Sequence, residues 1–162
     1  MSEARLDKAR EAASGVVDPE LPVLTIAELG VLREVSLAAD GVIEVAITPT
    51  YTGCPAMVMI ATEVEAALAR AGVGPVRVRS VLSPAWSSDW VSREGRQKLA
   101  AAGIAPPATA QARRALFGEE RVVCPRCGSH ETERISEFGS TACKALWRCL
   151  ACREPFDAFK CH

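Results

Sequence analysis

Along residues 42–48, VIEVAIT, Ile43, Val45 and Ile47 alternate with other positions and so share one face. A period of two over so short a run predicts a strand with one buried side. VLREVSL at 31–37 is also rich in branched residues, and the AADG between the two runs predicts a hairpin. The period then changes. In PAMVMIATEVEAALARAG, residues 55–72, Met57, Ile60, Ala61, Val64 and Leu68 recur at helical spacing, with Pro55 suited to the first turn and Gly72 to the stop. Met57 and Met59 are expected to fill the core. A third strand is predicted at 76–82, and further helices at 4–13 and at 92–103, the latter capped by Ser92. The order helix, strand, strand, helix, strand, helix predicts an α+β domain, with a sheet of three or more strands packed on helices.

Beyond residue 103 the pattern lapses. IAPPATAQA is rich in Pro and Ala, so the expected organisation is a domain over 1–103, a linker over 104–120 and a separate module over 121–162. That module holds six of the seven cysteines within the last 39 residues. Cys124 and Cys127 form one C-x2-C pair, Cys149 and Cys152 a second, with 21 residues between them. Each pair, in a tight knuckle, presents two thiolates to one ion, and ETERISEF, GST and ACKALWRC read as the hairpin joining the knuckles. The expectation is a zinc ribbon, one structural Zn2+ per chain in a four-sulfur tetrahedron with bonds of about 2.3 Å and no open position. Iron in the same sulfurs, or disulfides, are the alternatives. A module this small buries too little to fold unaided, so the metal would supply most of its stability. Arg126, Arg148 and Arg153 flank the sulfurs and would offset their charge.

Cys143 and Cys161 are left over. Cys143 shares strand parity with Cys149, but six residues of strand span about 20 Å, too far for one ion. The two are read as buried thiols or, alternatively, as secondary metal-handling thiols. His130 is expected on the surface.

Charge narrows the function classes. The net charge is −1, with 12 basic against 13 acidic residues over 1–118 and 7 against 7 over 119–162. Neither part has the basic excess by which nucleic-acid binders neutralise phosphates, so no nucleic-acid partner is expected. No apolar run approaches the roughly 20 residues that span a bilayer. MSEARLDKAREAASG reads as a charged helix rather than a leader, so the expected location is cytoplasmic, where cysteines stay reduced.

Cys54 stands apart, between a strand end and a helix start. Unpaired N–H groups there are expected to favour its thiolate; an inert thiol is the alternative. Residues 1–123 contain no histidine, so a Cys–His nucleophile lacks its base. The available acids are Asp18, Glu20 and Glu28, and a thiolate among carboxylates suits a transient soft-metal ligand better than acyl transfer. A [2Fe–2S] cluster takes four thiolates. Residues 1–123 of one chain supply one, so a homodimer, or help from Cys143 and Cys161, would be needed.

DPELPVLTIAELGVLREV, TPTYTGCPAM and PAWSSDWVSREGRQKL together resemble the SufT-like iron–sulfur assembly domain over about residues 3–103. That family has an Asp-Pro-Glu motif, an Asp/Glu-Leu-Gly turn, a Gly-Cys-Pro motif and a Pro-Trp stretch. AELG departs slightly, since many members have Asp before Leu-Gly. SEFGSTACKALWRCLACREPFDAFKC is more specific and resembles the PaaD (PaaJ) family, encoded with the phenylacetyl-CoA (ring 1,2-) epoxidase system. The resemblance implies an accessory protein, not an enzyme, in aerobic phenylacetate degradation. Such a protein assists maturation of iron–sulfur or diiron centres in the oxygenase or reductase subunits, alongside the iron–sulfur assembly machinery. It implies Cys54, Asp18 and Glu20 as the cluster-handling residues, a transient iron–sulfur cluster as cargo, and Cys124, Cys127, Cys149 and Cys152 as zinc ligands. The competing reading is a permanent, non-catalytic interaction subunit with Cys54 idle. No Glu-x-x-His diiron pattern and no glycine-rich dinucleotide fingerprint occurs.

Overall fold

The structure, a computed structural model, describes residues 2–115 and 121–160. It divides into two compact units, Met1–Trp86 and Ser87–His162.

The first unit opens with α1 (Ser2–Ser14), followed by an irregular stretch and then β1 (Leu32–Leu37), β2 (Ile43–Ile47), α2 (Ala56–Arg70) and β3 (Val76–Ser80). The sheet order is β1-β2-β3, with β1 antiparallel and β3 parallel to β2. The hairpin closes because Gly41 takes φ 81°, a left-handed value that costs glycine little. Ala38 N–H donates to the Val42 carbonyl at 2.9 Å, and Asp40 Oδ1 accepts the Val42 N–H at 3.1 Å. Ile43, Val45 and Ile47 are buried, as are Ile60, Val64 and Leu68 of α2 and Ala9 and Ala13 of α1. Each buried Val, Leu or Ile stabilises by about 1.5–3 kcal/mol. Glu44, between the buried positions of β2, bonds to Arg77 at 2.7 Å, and Asp40 meets the same guanidinium at 3.1 Å. Trp86 ends the unit, its Nε1–H donating to the Leu29 carbonyl at 2.9 Å.

The methionines depart from expectation. The residues α2 buries, Ala56, Ile60, Val64 and Leu68, recur every four positions. That spacing turns the third and fourth residues of each repeat outward. Val58 is 75% and Met59 59% exposed, and Met57 is half-buried.

The second unit holds a 3₁₀ turn (Ser88–Trp90), α3 (Arg93–Ala101), β4 (Ile104–Ala105), α4 (Ala110–Ala115), β5 (Thr132–Ser136), β6 (Lys144–Cys149) and β7 (Pro155–Phe159). Ser92 caps α3 as the sequence suggests, its Oγ accepting the Gly95 N–H at 2.9 Å. The sheet runs β4-β7-β6-β5, antiparallel except for the parallel β4–β7 pair. The segment read as a linker begins inside this sheet: Ile104 and Ala105 pair with Asp157 and Ala158. Residues 88–101, read as part of the first domain, fall in this second unit. A two-residue strand leaves no periodicity, so Pro/Ala content hides it. Among the described residues, no helix is long and apolar enough to cross a membrane.

Candidate metal centre and the Cys54 loop

The two C-x2-C pairs fold alike. Cys124 N–H donates to the Ser129 carbonyl and Cys149 N–H to the Glu154 carbonyl, both at 3.0 Å, so each first cysteine bonds five residues ahead. The residue after each second cysteine turns left-handed: Gly128 at φ 75° and Arg153 at φ 68°. Glycine does this freely, and Arg153 is the only described non-glycine residue to do so.

The paired knuckles bring Cys124, Cys127, Cys149 and Cys152 into one set, all sulfurs within 4.8 Å of one another. Cys124 Sγ lies 3.8 Å from Cys152 Sγ, and Cys127 Sγ 3.5 Å from Cys149 Sγ. A tetrahedron with bonds of about 2.3 Å has edges near 3.8 Å, so the set fits a four-sulfur metal. Cys124 and Cys149 are packed in a core with Ala105, Ala145, Trp147, Phe156 and Ala158. The Cys152 N–H points at Cys149 Sγ at 3.5 Å. That donor, helped by Cys127 and the Ala151 N–H, outweighs burial and pulls the Cys149 thiol down to about 6. The Glu154 N–H lowers Cys152, but burial and the three other sulfurs override it and push that thiol up to about 12. Four thiols this close cannot all ionise without a cation between them. The arrangement is one that could hold a metal ion.

Cys143 is outside it. It is buried, with Sγ 2.9 Å from Thr141 Oγ1. Cys161 lies outside the described residues. His130 is exposed, and Arg148 pairs with Glu133.

In the first unit β2 and β3 end together, Ile47 opposite Ser80, and the loop leading to Cys54 leaves from that edge. Thr48, Pro49 and Thr50 are buried, and among the described residues the Thr48 hydroxyl has no hydrogen-bond partner. Gly53, at φ 81°, completes the turn. Cys54 is half-buried; its N–H donates to the Tyr51 carbonyl and its own carbonyl accepts the Met57 N–H, both at 3.3 Å. Pro55 caps α2 and has no N–H to offer.

Asp18 and Glu20 come to this loop. Burial pushes the Cys54 thiol up first, and the Glu20 and Asp18 charges push it further. The Ala56 N–H and the Tyr51 hydroxyl pull the other way without prevailing. The expectation that the helix start favours the thiolate is therefore overturned: desolvation and two carboxylates outweigh the N–H. Asp18 is also a turn-former, buried, with Oδ1 accepting the N–H groups of Glu20 and Leu21, both at 2.8 Å. Glu28 works locally: Thr25 and Glu28 each accept the other's backbone N–H, at 3.1 and 2.9 Å, in a reciprocal capping box. Tyr51, adjacent to the sequence-selected motif, was given no role by spacing; its position in TYTGC was the available signal.

The chain is thus an α+β protein that pairs a thiol beside two carboxylates with a separate β-ribbon whose four clustered sulfurs could hold a metal. Residues 6–82 match the family described as iron-sulfur cluster assembly protein, and residues 108–160 that described as PaaD zinc beta ribbon domain. An Escherichia coli (strain K12) protein that carries a provisional name as one of the subunits of 1,2-phenylacetyl-CoA epoxidase is 49% identical, over 91% of this chain and 88% of that one. The "Fe-S protein maturation auxiliary factor YitW" of Bacillus subtilis (strain 168) is 38% identical, over 61% of this chain and 97% of its own. A crystal structure from Bacillus anthracis titled a domain of unknown function, DUF59, aligns with TM-score 0.55 and 29% identity, over 60% of this chain and 92% of that one. The chain belongs to the PaaD family, in which an iron–sulfur cluster assembly domain is joined to a zinc ribbon.

Proposed function

We propose that this chain is a non-catalytic accessory protein of a phenylacetyl-CoA epoxidase system, and that it delivers or repairs an iron–sulfur or diiron centre in the oxygenase or reductase subunits. The observation that carries the reading is the meeting of Cys54, Asp18 and Glu20 at one loop of a chain 49% identical to a protein named for that epoxidase. The relatives named as maturation factors support the iron–sulfur side of it.

Cys54, Asp18 and Glu20 are the cargo-handling residues. Burial keeps the Cys54 proton in place, and the Glu20 and Asp18 carboxylates that reinforce it also attract a cationic metal. When iron arrives, an S–Fe bond forms, the S–H bond breaks and the proton leaves to solvent. A thiol reluctant to ionise is a weak resting ligand, which suits transfer rather than storage. The cargo is an iron centre handed on, and the partners are the iron–sulfur assembly machinery and the client subunits, in the cytoplasm. Cys124, Cys127, Cys149 and Cys152 hold one zinc. Four protein sulfurs fill its tetrahedron, so its role is structural.

The test is to produce the epoxidase oxygenase and reductase in cells carrying either the wild-type chain or Cys54→Ser. Iron per client subunit and phenylacetyl-CoA epoxidation are then measured. The expected result is a several-fold loss of both with Cys54→Ser. Full iron and activity would instead favour a permanent interaction subunit with an idle Cys54, a reading that the raised thiol also supports.

A further inference from the structure

The turn that carries Cys54 brings two side chains together at its base. Cys54 N–H donates to the Tyr51 carbonyl at 3.3 Å, and Gly53 takes φ 81°. A bond from the fourth residue back to the first, with a left-handed third residue, is the pattern of a type II β-turn, whose first and fourth Cα atoms lie within about 7 Å. Thr52 and Gly53 at the tip are exposed, whereas Tyr51 and Cys54 at the base are half-buried. There the Tyr51 hydroxyl hydrogen-bonds to the Cys54 sulfur.

The sulfur has few donors to draw on. Pro55 has no N–H, and the Met57 N–H is directed at the Cys54 carbonyl. The Ala56 N–H remains, and the Tyr51 hydroxyl adds a side-chain donor to it. Glu20 and Asp18, which also act on the sulfur, are carboxylates; when ionised they accept hydrogen bonds and offer none. A negative sulfur at this turn is therefore steadied by one backbone amide and one phenol. The ring alone would fill the half-buried place, so what tyrosine adds over phenylalanine is the donor.

We infer that Tyr51 is a positioning residue for cargo transfer: its hydroxyl donates to the Cys54 sulfur while that sulfur holds iron, fixing its orientation and drawing electron density from it. The inference deepens the proposed function and rests on it. When iron arrives the S–H proton leaves to solvent, and the Tyr51 O–H stays intact as a donor to the thiolate. Hydrogen bonds to coordinating sulfurs help to set iron–sulfur reduction potentials. Such a bond leaves the sulfur a weaker donor to iron, which favours release to a client.

The test reconstitutes the full zinc-loaded chain anaerobically with ferrous iron and sulfide, as wild type, Tyr51→Phe and Cys54→Ser. Visible absorption, reduction potential and the rate of iron loss to a chelator are measured, with melting temperature as the check on folding. Separately, without iron, iodoacetamide labelling of the Cys54 peptide is timed by mass spectrometry near neutral pH. Tyr51→Phe is expected to melt like the wild type, to shift the Cys54-dependent bands to longer wavelength, to lower the potential and to release iron more slowly. Its labelling should be about five-fold slower. A ring-fluorinated tyrosine at this position, a stronger donor, should move each of these readouts the other way. Unchanged bands and potential, or unchanged labelling, in Tyr51→Phe would overturn the inference and leave the proposed function standing. Absence of Cys54-dependent bands from the wild type would overturn the proposed function, and this inference with it.

Discussion

Cys149 and Cys54 carry the same thiol in opposite settings. Cys149 receives an N–H from Cys152 and stands among three other sulfurs, and its thiol drops to about 6. Cys54 stands at a helix start but is desolvated beside Glu20 and Asp18, and its thiol rises. Sequence position alone would have put the more acidic thiol at the helix. Neighbours brought by the fold decide otherwise, and they sort the two sites by task. On the proposed function, the ribbon assembles donors for an ion that stays, and the loop keeps its proton until a cation displaces it.

The comparison breaks most visibly at the ribbon. Cys149→Ser should cut metal from one ion per chain to nearly none and abolish the cooperative unfolding of the second unit. Structural zinc contributes about 10–16 kcal/mol of apparent binding free energy. Elemental analysis and near-ultraviolet circular dichroism would show it, and a variant that kept its metal would mean that three sulfurs suffice.

Next is the turn that carries the loop's carboxylates. Asp18→Ala strands two N–H groups that now share Oδ1, and should cost about 2 kcal/mol in urea unfolding of the first unit. Asp18→Asn, which keeps an acceptor, should recover most of that. Equal losses in the two variants would argue that the charge matters more than the turn.

Smaller again is Ser92→Ala, which removes the α3 cap and should cost about 1 kcal/mol in the second unit, leaving both metal content and Cys54 untouched.

Glu20→Gln should leave stability near neutral pH unchanged and move only reactivity. The folded Cys54 pKa is raised, so its contribution to stability is present below the ordinary thiol range and is lost as pH climbs through the folded value. Removing the Glu20 charge lowers that pKa, so iodoacetamide should alkylate Cys54 at lower pH in Glu20→Gln than in the wild type. An unchanged pH profile would mean that burial alone sets the thiol.

The clustering of the four ribbon cysteines was legible because a knuckle bonds residues five apart, so its geometry is written into local spacing. The buried faces of β2 and α2 were legible for the same reason: periods of two and about four. What escaped depends on distant neighbours. The β4 strand is two residues whose partner is β7, and Met59 is exposed because α2 buries a narrower stripe than its apolar content suggests. The T-x-x-E capping box at Thr25 and Glu28 was readable as a motif, but Glu28 was weighed only as an acid near Cys54. The direction of the Cys54 shift was not readable at all, because it requires knowing that the fold buries the thiol and brings Glu20 and Asp18 back onto the loop.

The most direct test is anaerobic reconstitution of wild type and Cys54→Ser with ferrous iron and sulfide, followed by zinc analysis and visible absorption. The account predicts one zinc per chain in both proteins, and iron–sulfur charge-transfer bands in the wild type that disappear with Cys54→Ser. Bands that survive in Cys54→Ser, or that form only when zinc is lost, would place the iron on the ribbon sulfurs and contradict the division of labour between the two sites.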